Sequence, residues 1–280
     1  MRLPGLHCIH RNPAAPWLEL RVSTDSSACY RMHSHAEFSV GIVDEGEAIF
    51  HHPSGPQRVA PGTVVLIEPD VIHACNPVAQ GVWSYRMLFV ASSWVQRQIL
   101  ARQNNSATAT ALHFSARTVH DPAVTESVDR LCRMLLDDMG AAQHSEQLGD
   151  LLSQYLSSGA PSDRPAYPVL LEPALRQIHA GLDTGVTVRQ LAQLCDMNPS
   201  QFTRQFKRSM GVAPAEYLQN FRVNGARRLM AHGVSLAEAA HAMGFSDQAH
   251  MQRAFKVRHA MTPGNYASLK ARSTPAEGGV

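Results

Sequence analysis

The chain has little that would place it in a membrane or outside the cell. Among its 280 residues no run approaches the roughly 18 consecutive apolar residues of a spanning helix. The start, MRLPGLHCIHRNPAAP, lacks the apolar middle of a secretion signal. Cysteine is also scarce, since five are scattered without CxxC spacing, which suits neither a disulfide framework nor a zinc knuckle. We expect a cytoplasmic protein with reduced thiols.

Motifs typical of common enzyme classes are missing as well. The sequence has no P-loop, no GxSxG elbow and no GxGxxG that opens a helix. These motifs position phosphates, a serine nucleophile or a dinucleotide. Hydrolase, kinase and dehydrogenase functions therefore have no support, and we expect neither an enzyme nor a cofactor.

Charge divides the chain into two unlike halves. Residues 1–164 hold 12 Lys and Arg against 16 Asp and Glu, whereas residues 165–280 hold 13 against 7. The length suggests two domains at about 100 to 200 residues each. A basic half joined to an acidic half indicates a polyanion-binding module attached to a second domain, unless the positive charges are only a solvated face.

The basic half contains an internal repeat with a period of 49 residues. Phe206 and Tyr217 of the first copy recur as Phe255 and Tyr266 in the second. Each copy reads as helix, turn, helix. The sequence also predicts helix starts and ends in both copies. The predicted capping residues are Thr187 with Gln190, Asn198 before Pro199, Ser235 with Glu238, and Ser246; the predicted helix-ending glycines are Gly211, Gly233 and Gly244.

The second helix of each copy has one apolar and one polar face. At 100° per residue, Phe202 and Phe206 lie opposite the polar residues of copy one, and Met251 and Phe255 do so in copy two. Arg and Gln suit base edges, while Lys and Thr suit phosphates. Any amphipathic surface helix could carry such residues, but two copies in one register favour a reader of the major groove. The predicted DNA-contacting residues are Ser200, Thr203, Arg204, Lys207, Gln248, Ala249, Gln252, Arg253 and Lys256.

A long helix from Pro214 to Ala231 should connect the two copies as a rigid spacer. It would hold two reading helices on successive major-groove faces, about 34 Å apart. The pattern assigns Leu218, Phe221, Leu229 and Met230 to its buried side. It assigns Arg222, Arg227 and Arg228 to its polar side.

These features resemble a known family. The segment from about 172 to 270 resembles the paired helix-turn-helix domain of AraC/XylS-type transcription regulators, most specifically in AAHAMGFSDQAHMQRAFKVRHAMTPGNY. The family's base- and backbone-contacting positions fall on the DNA-contacting residues named above, apart from the two lysines. One departure is Met197-Asn198, where many members have a small residue and a serine. The resemblance implies sequence-specific DNA binding at a promoter.

The acidic half reads as turn-rich antiparallel β structure. Residues 17–90 hold short apolar or alternating runs separated by turns such as Pro61-Gly62. HSHAEFSVGIVDEGE and PGTVVLIEPDVIHACNP resemble the cupin-type sensor domain that precedes the DNA-binding half in the same family. The fold class is therefore predicted as α+β multidomain, an N-terminal antiparallel barrel or jelly roll with following helices and a C-terminal all-α double helix-turn-helix domain.

Three histidines and a glutamate form a candidate site in this half. His33, His35 and Glu37 share one strand face, and His73 comes from a later strand. They could bind a metal, but the glutamate and histidine spacings depart from the metal-binding cupin pattern, so no metal is predicted. We prefer a pocket for an effector, with Trp83 and Tyr85 as further contacts. Histidines satisfied by hydrogen bonds in the barrel wall are the remaining alternative.

Two amphipathic helices are predicted at 121–139 and 146–156. Such stripes pack on the barrel or on another copy of the chain, and the family resemblance favours a homodimer. The predicted dimer contacts are Val124, Val128, Leu131 and Leu135.

The sequence thus predicts a regulator of transcription that binds double-stranded DNA under control of a small-molecule effector, with RNA polymerase as a further partner. The alternatives are a metal-dependent cupin enzyme fused to a DNA-binding domain, and a constitutive regulator whose barrel only dimerises. The predicted order is a sensing and dimerisation domain at 1–160, a linker at 161–171, a DNA-binding domain at 172–270 with motifs at 187–210 and 235–258, and a flexible tail at 271–280.

Overall fold

The computed structural model describes seven stretches of the chain. They are residues 6–79, 81–103, 112–137, 141–158, 169–180, 185–259 and 261–266. The predicted tail and residues 161–168 of the predicted linker lie outside them. Within the described residues, no helix is long and apolar enough to cross a membrane.

The N-terminal half is built from antiparallel sheets. The six-stranded sheet has the order β1-β2-β8-β3-β6-β10, and a three-stranded sheet has the order β5-β4-β7. The strands are β1 Leu6–Arg11, β2 Leu18–Ser26, β3 Glu37–Glu45, β4 Ala48–His51, β5 Gln57–Val59, β6 Val64–Ile67, β7 Ala74–Pro77, β8 Trp83–Ala91, β9 Leu112–Phe114, β10 Thr118–Val119 and β11 Leu156–Ser158, the last pairing with β9. The fold class predicted for this half is confirmed.

Both faces of the large sheet are covered, because alternate residues of its strands enter two different cores. In β8, Leu88 and Val90 join a core on the helical side, whereas Tyr85 and Met87 join a core between the two sheets. The period of two in a strand produces this division. The space between the sheets is where a cavity can form.

Three helices cover the outer face of the large sheet. They are α1 Ser92–Gln103, α2 Pro122–Leu136 and α3 Ala141–Tyr155. The stripe predicted to form a dimer contact lies on α2, and its four side chains are 0 to 7% exposed within one chain. This finding corrects the expectation that these four residues meet a second copy, because their apolar surface is already used in the chain's own core. Dimerisation itself stays a prediction.

In the described residues of the C-terminal half, every regular element is a helix. After a 3-10 turn at Val169–Leu171, the helices are α4 Glu172–His179, α5 Val188–Leu194, α6 Pro199–Met210, α7 Pro214–Ala231, α8 Leu236–Ala242 and α9 Gln248–His259. The predicted capping boxes at Thr187 and Ser235 are present, and Gly211 ends α6 in the left-handed conformation at φ 74°. The predicted cap at Ser246 is wrong, since the Asp247 carboxylate accepts the His250 backbone N–H instead.

The repeat seen in the sequence is also a repeat of contacts. The Phe206 and Tyr217 rings lie 5.4 Å apart between centroids, and the Phe255 and Tyr266 rings lie 5.7 Å apart. Each pair belongs to a separate apolar core, one for each helix-turn-helix copy. The two copies are therefore packed as two similar units joined by α7.

Replacing Leu131 with Ala tests whether the α2 stripe is core. Leu131 is 1% exposed, so the substitution should lower the free energy of unfolding by about 2 to 5 kcal/mol through lost burial and a cavity. Leu136→Ala, on the exposed side of the same helix, is the control and should change it by about 0.5 kcal/mol or less. Urea unfolding at several protein concentrations is the measurement. A loss for Leu131→Ala that disappears at low protein concentration would instead assign Leu131 to a dimer contact.

Candidate DNA-binding surface and ligand cavity

The second helix of the first motif, α6, presents its predicted DNA-contacting residues to the outside. Ser200, Arg204 and Lys207 are exposed, and Thr203 is half-buried. On the opposite side, Phe202 and Phe206 are fully buried. Asn198 caps the helix start and accepts the Gln201 backbone N–H at 2.9 Å, which fixes where the exposed face begins.

The equivalent helix of the second motif, α9, has the same division. Gln248, Ala249, Arg253 and Lys256 are exposed and Gln252 is half-buried, whereas Met251 and Phe255 are buried. The two outer faces therefore carry arginine, lysine and amide groups free of the apolar cores. Such groups are able to reach base edges and phosphates.

Five of the six residues predicted for an effector site surround one cavity. His33, His35, His73, Trp83 and Tyr85 all line a cavity of about 50 Å³ in the N-terminal half. The remaining residue, Glu37, does not line it and has another partner, described below. The sequence patterns therefore located five of the eleven residues that line this cavity.

Sequence reasoning missed several residues of the wall, and Arg21 is the most unusual of them. The others are Tyr30, Ile67, Cys75, Met87 and Phe89. Arg21 lies opposite Met87 in the pairing of β2 with β8 and is 7% exposed. The run WLELRVS carried the signal, because its alternation puts Leu18 and Leu20 on one face and Arg21 on the other.

The Arg21 guanidinium is held by neutral oxygen atoms. Its Nη2 donates to the Tyr30 hydroxyl at 2.9 Å and to the His259 carbonyl oxygen at 2.7 Å. Burial lowers the pKa of Arg21, but the nearby Tyr85 and Tyr30 hydroxyls and the Glu19 carboxylate raise it by more. The group is therefore a buried cation at neutral pH.

The three cavity histidines are fixed as one tautomer by the backbone. Each Nδ1 lies 2.8 to 2.9 Å from a backbone carbonyl oxygen. The pairs are His33 with Arg31, His35 with Glu37, and His73 with Val71. A carbonyl only accepts, so each Nδ1 carries the proton and each Nε2 is an acceptor. Among the described residues, no group of three or more His, Cys, Asp or Glu side chains is placed to hold a metal ion.

Burial keeps this histidine cluster neutral. Burial lowers the pKa of His73 to about 4. Burial, followed by the charges of neighbouring histidines, lowers the pKa of His33 and His35 well below the usual range. The ring of His259, at the end of α9, lies 6.3 Å from that of His33. Burial, followed by the charge of Arg227, also lowers the pKa of His259 well below its usual range.

The cluster lies where the two halves of the chain meet. Glu37 forms a salt bridge with Arg227 of α7, which is itself 7% exposed. One turn earlier, Asn224 donates to the Ser34 carbonyl at 2.7 Å, and Asn220 donates to the Ser34 hydroxyl at 2.9 Å. Arg227 was predicted on the polar side of α7, and the structure shows that this residue is buried because that part of the helix packs on the N-terminal half.

The last turn of α9 also packs on the N-terminal half. The backbone N–H of Arg31 donates to the Val257 carbonyl at 3.1 Å, and Arg21 binds the His259 carbonyl. Carbonyls at a helix C-terminus lack partners in their own helix and carry partial negative charge. Helix α9 is thus held at its C-terminal end by the N-terminal half, while its outer face stays exposed.

Alanine at Arg204 or Arg253 tests the two reading faces. If each arginine reads a base, its loss should weaken binding to a specific duplex by about 1 to 3 kcal/mol and relax preference at one base pair. The control is Arg97→Ala, which removes the same charge from the exposed side of α1 in the other half. Fluorescence anisotropy with the specific duplex and with single-base variants is the measurement. Unchanged discrimination between these duplexes would contradict base reading.

The depressed pKa of His73 predicts a stability that falls with acid. Between about pH 6.5 and 4 the unfolded chain binds a proton that folded His73 does not, so unfolding becomes easier as pH falls. One such group contributes up to about 1.4 kcal/mol per pH unit. Urea unfolding across this range should show a shallower pH dependence for His73→Gln than for the unsubstituted chain. The exposed His241→Gln is the control, and equal slopes for both variants would contradict the account.

Comparison with known proteins identifies both halves. Residues 21–156 match the family model for an AraC-like ligand binding domain, and residues 191–268 match that for a helix-turn-helix domain. The uncharacterized HTH-type transcriptional regulator YbfI of Bacillus subtilis is 22% identical over 227 residues, 78% of this chain and 80% of that protein. The HTH-type transcriptional regulator GlxA of Rhizobium meliloti is 32% identical over 108 residues, 38% of this chain and 32% of that protein.

Solved structures show the same arrangement of folds. Apo ToxT of Vibrio cholerae superposes with a TM-score of 0.54 at 11% identity, covering 96% of this chain and 98% of that one. Wild-type ToxT bound to an unsaturated fatty acid superposes with a TM-score of 0.51, also at 11% identity, with the same coverage. At this identity the likeness shows the fold alone. The two family models together cover most of the chain in the expected order, and the chain belongs to the AraC-type transcription regulators, with a ligand-binding domain ahead of its helix-turn-helix domain.

Proposed function

We propose that this protein binds specific DNA sequences and that a small molecule in the cavity of its N-terminal half controls that binding. The protein would read DNA through α6 and α9. The effector would act by changing how the N-terminal half holds α7 and α9. A ligand changes such an arrangement only if it binds one state more tightly than another.

One observation carries the proposal, namely that the cavity and the contact between the halves share residues. Arg21 lines the cavity and also binds the end of α9. His33 lines the cavity, and its ring lies 6.3 Å from that of His259. A ligand in the cavity would therefore meet groups that touch the DNA-binding half directly.

The DNA-binding part of the proposal is supported by charge and by shape. The predicted contact residues lie on the outer faces of two similar helices, and α7 joins the two motifs as one rigid helix. Lysines on those faces suit phosphates, so affinity should fall steeply with salt. The residue assignments on α6 and α9, as well as the domain limits given under Sequence analysis, stay predictions.

The effector part is supported by the family and by the chemistry of the cavity. The cavity has aromatic walls, a buried cation and three neutral histidine rings, a mixture typical of sites for small organic molecules. ToxT has been solved with an unsaturated fatty acid, which supports a small-molecule effector for a protein of this fold. The relatives named above are transcription regulators, and they support a role without catalysis.

A homodimer would complete the proposal, with RNA polymerase as a further partner. The four side chains of the α2 stripe are 0 to 7% exposed in their own chain, which leaves them little surface for a second copy. A groove between α2 and α3 is lined by Ser127, Arg130 and Gln154, and also by Val124 and Leu131 of that stripe. A second copy would have to use such an outer surface of these helices.

Selection of bound duplexes from a random pool tests the function. The full-length protein should enrich one sequence pattern, and its affinity for that pattern should drop as salt rises. A thermal-shift screen of metabolites would then identify compounds that stabilise the protein, and these should change its affinity for the selected duplex. No enriched pattern would contradict sequence-specific binding. Stabilising compounds that leave DNA affinity unchanged would contradict effector control.

A further inference from the structure

We propose that the effector is a short organic carboxylate, and that its carboxylate displaces the His259 carbonyl from Arg21. This inference rests on the function proposed above and adds the chemical class of the ligand and the bond through which it acts. Four observations lead to it, and they concern the charge of Arg21, the unsatisfied donors of the cavity, the size of the cavity and the end of α9.

The first observation is a buried positive charge without a negative partner. Arg21 is 7% exposed, and among the described residues it forms no ion pair with a carboxylate. Glu19, the nearest acidic residue along the strand, is paired with Arg11 instead. Buried charges in proteins are usually paired, because transfer from water to the interior is costly. An anion in the cavity would supply the missing charge.

The second observation is that two N–H donors in the wall lack acceptors. Arg21 Nε and Trp83 Nε1 are buried and have no hydrogen-bond partner within the described part of the chain. Trp83 is 3% exposed, and its ring stacks on Tyr85 at 4.2 Å. Unsatisfied buried donors are rare in proteins because each loses its hydrogen bonds to water without replacement. A carboxylate is an acceptor with two oxygens, and it pairs well with the edge of a guanidinium.

The size of the cavity limits the ligand. The enclosed space of about 50 Å³ suits an acid of a few heavy atoms, such as propionate, whereas a long acyl chain would have to extend out of the cavity. The aromatic rings of Tyr30, Tyr85 and Phe89 provide apolar surface for a short carbon chain.

Hydrogen-bond geometry at Arg21 connects binding to α9. Nη2 has two hydrogens, and both are used, one by the Tyr30 hydroxyl and one by the His259 carbonyl. A carboxylate on the Nε and Nη2 edge takes the free Nε hydrogen and one of these two. The Tyr30 hydroxyl lies 2.7 Å from the Tyr85 hydroxyl. With Tyr85 as the donor in that bond, Tyr30 can donate to the carboxylate, whereas a carbonyl oxygen has no proton and is repelled. The bond to His259 is therefore the one that is lost.

The consequence is a weaker hold on the last turn of α9. The Arg31 N–H to the Val257 carbonyl would remain, but the only charged donor to this helix end in the described residues would be withdrawn. Binding of the acid and docking of α9 would then oppose each other, and the coupling is reciprocal. A chain with α9 docked binds the acid more weakly than one with α9 released.

Propionate and propionamide, which differ in charge but hardly in shape, test the ligand class in the full-length protein. Sodium propionate should raise the melting temperature above that in sodium chloride of equal ionic strength, and propionamide should not. Isothermal titration calorimetry should show that Arg21→Gln weakens propionate binding about tenfold or more. Arg31→Gln removes an exposed arginine beside the same contact and should bind propionate normally. Arg21→Lys keeps the charge but loses Nε, and should be intermediate.

Several results would overturn the ligand class. Equal stabilisation by propionamide would show that charge is not recognised. Unchanged affinity in Arg21→Gln would place the anion elsewhere. Tighter binding of octanoate than of propionate would contradict the size limit. Absence of binding by any of these acids would overturn the carboxylate itself. Binding of the selected duplex by Arg21→Lys shows that this variant is folded.

Amide hydrogen exchange tests the coupling to α9 separately. Propionate should reduce protection of residues 253–259, while protection of 202–210 in the first motif should stay the same. Arg21→Gln should show the reduced protection without propionate. Bound propionate with unchanged protection of 253–259 would overturn the displacement at His259. If propionate reduces protection of residues 253–259 but does not change the affinity for duplex DNA, the displacement at Arg21 is supported and effector control of DNA binding is contradicted.

Discussion

The buried salt bridge between Glu37 and Arg227 is the interaction on which the arrangement of the two halves depends. Arg227 lies on α7, the helix that joins the two motifs, and Glu37 opens the central strand β3 of the large sheet. A charge as buried as Arg227 cannot lose its partner without a large cost. The salt bridge therefore holds α7 against the large sheet, whose strands also line the cavity. Because α7 joins the two motifs, its position also sets where α6 and α9 lie.

Each layer of the molecule then has a clear role. The helices α1 to α3 cover one face of the large sheet and share an apolar core with it, which leaves the other face to the smaller sheet and the cavity. The segment from Arg31 to Glu37 supplies His33 and His35 to the cavity wall, and α7 and the end of α9 contact the same segment. The cavity wall and the DNA-binding half thus meet at one short segment of the chain.

The sequence was sufficient for what depends on local physics. The capping pairs, the glycine at the end of α6 and the bounds of α7 follow from backbone hydrogen bonding within a few residues. The faces of α6 and α9 follow from helical period. The failures arise where a distant segment decides. Arg227 belongs to the polar side of α7, and only the fold brings Glu37 beside it. Nothing near Arg21 in the sequence indicates that the end of α9 lies against it.

A double-mutant cycle on Glu37→Gln and Arg227→Gln, with affinity for the selected duplex as the readout, tests most directly whether the contact between the halves governs DNA binding. The account predicts that each single variant changes the affinity severalfold and that the two effects are not additive, because both variants break one salt bridge. Identical affinity in the unsubstituted chain, both single variants and the double variant, with each variant folded, would contradict it.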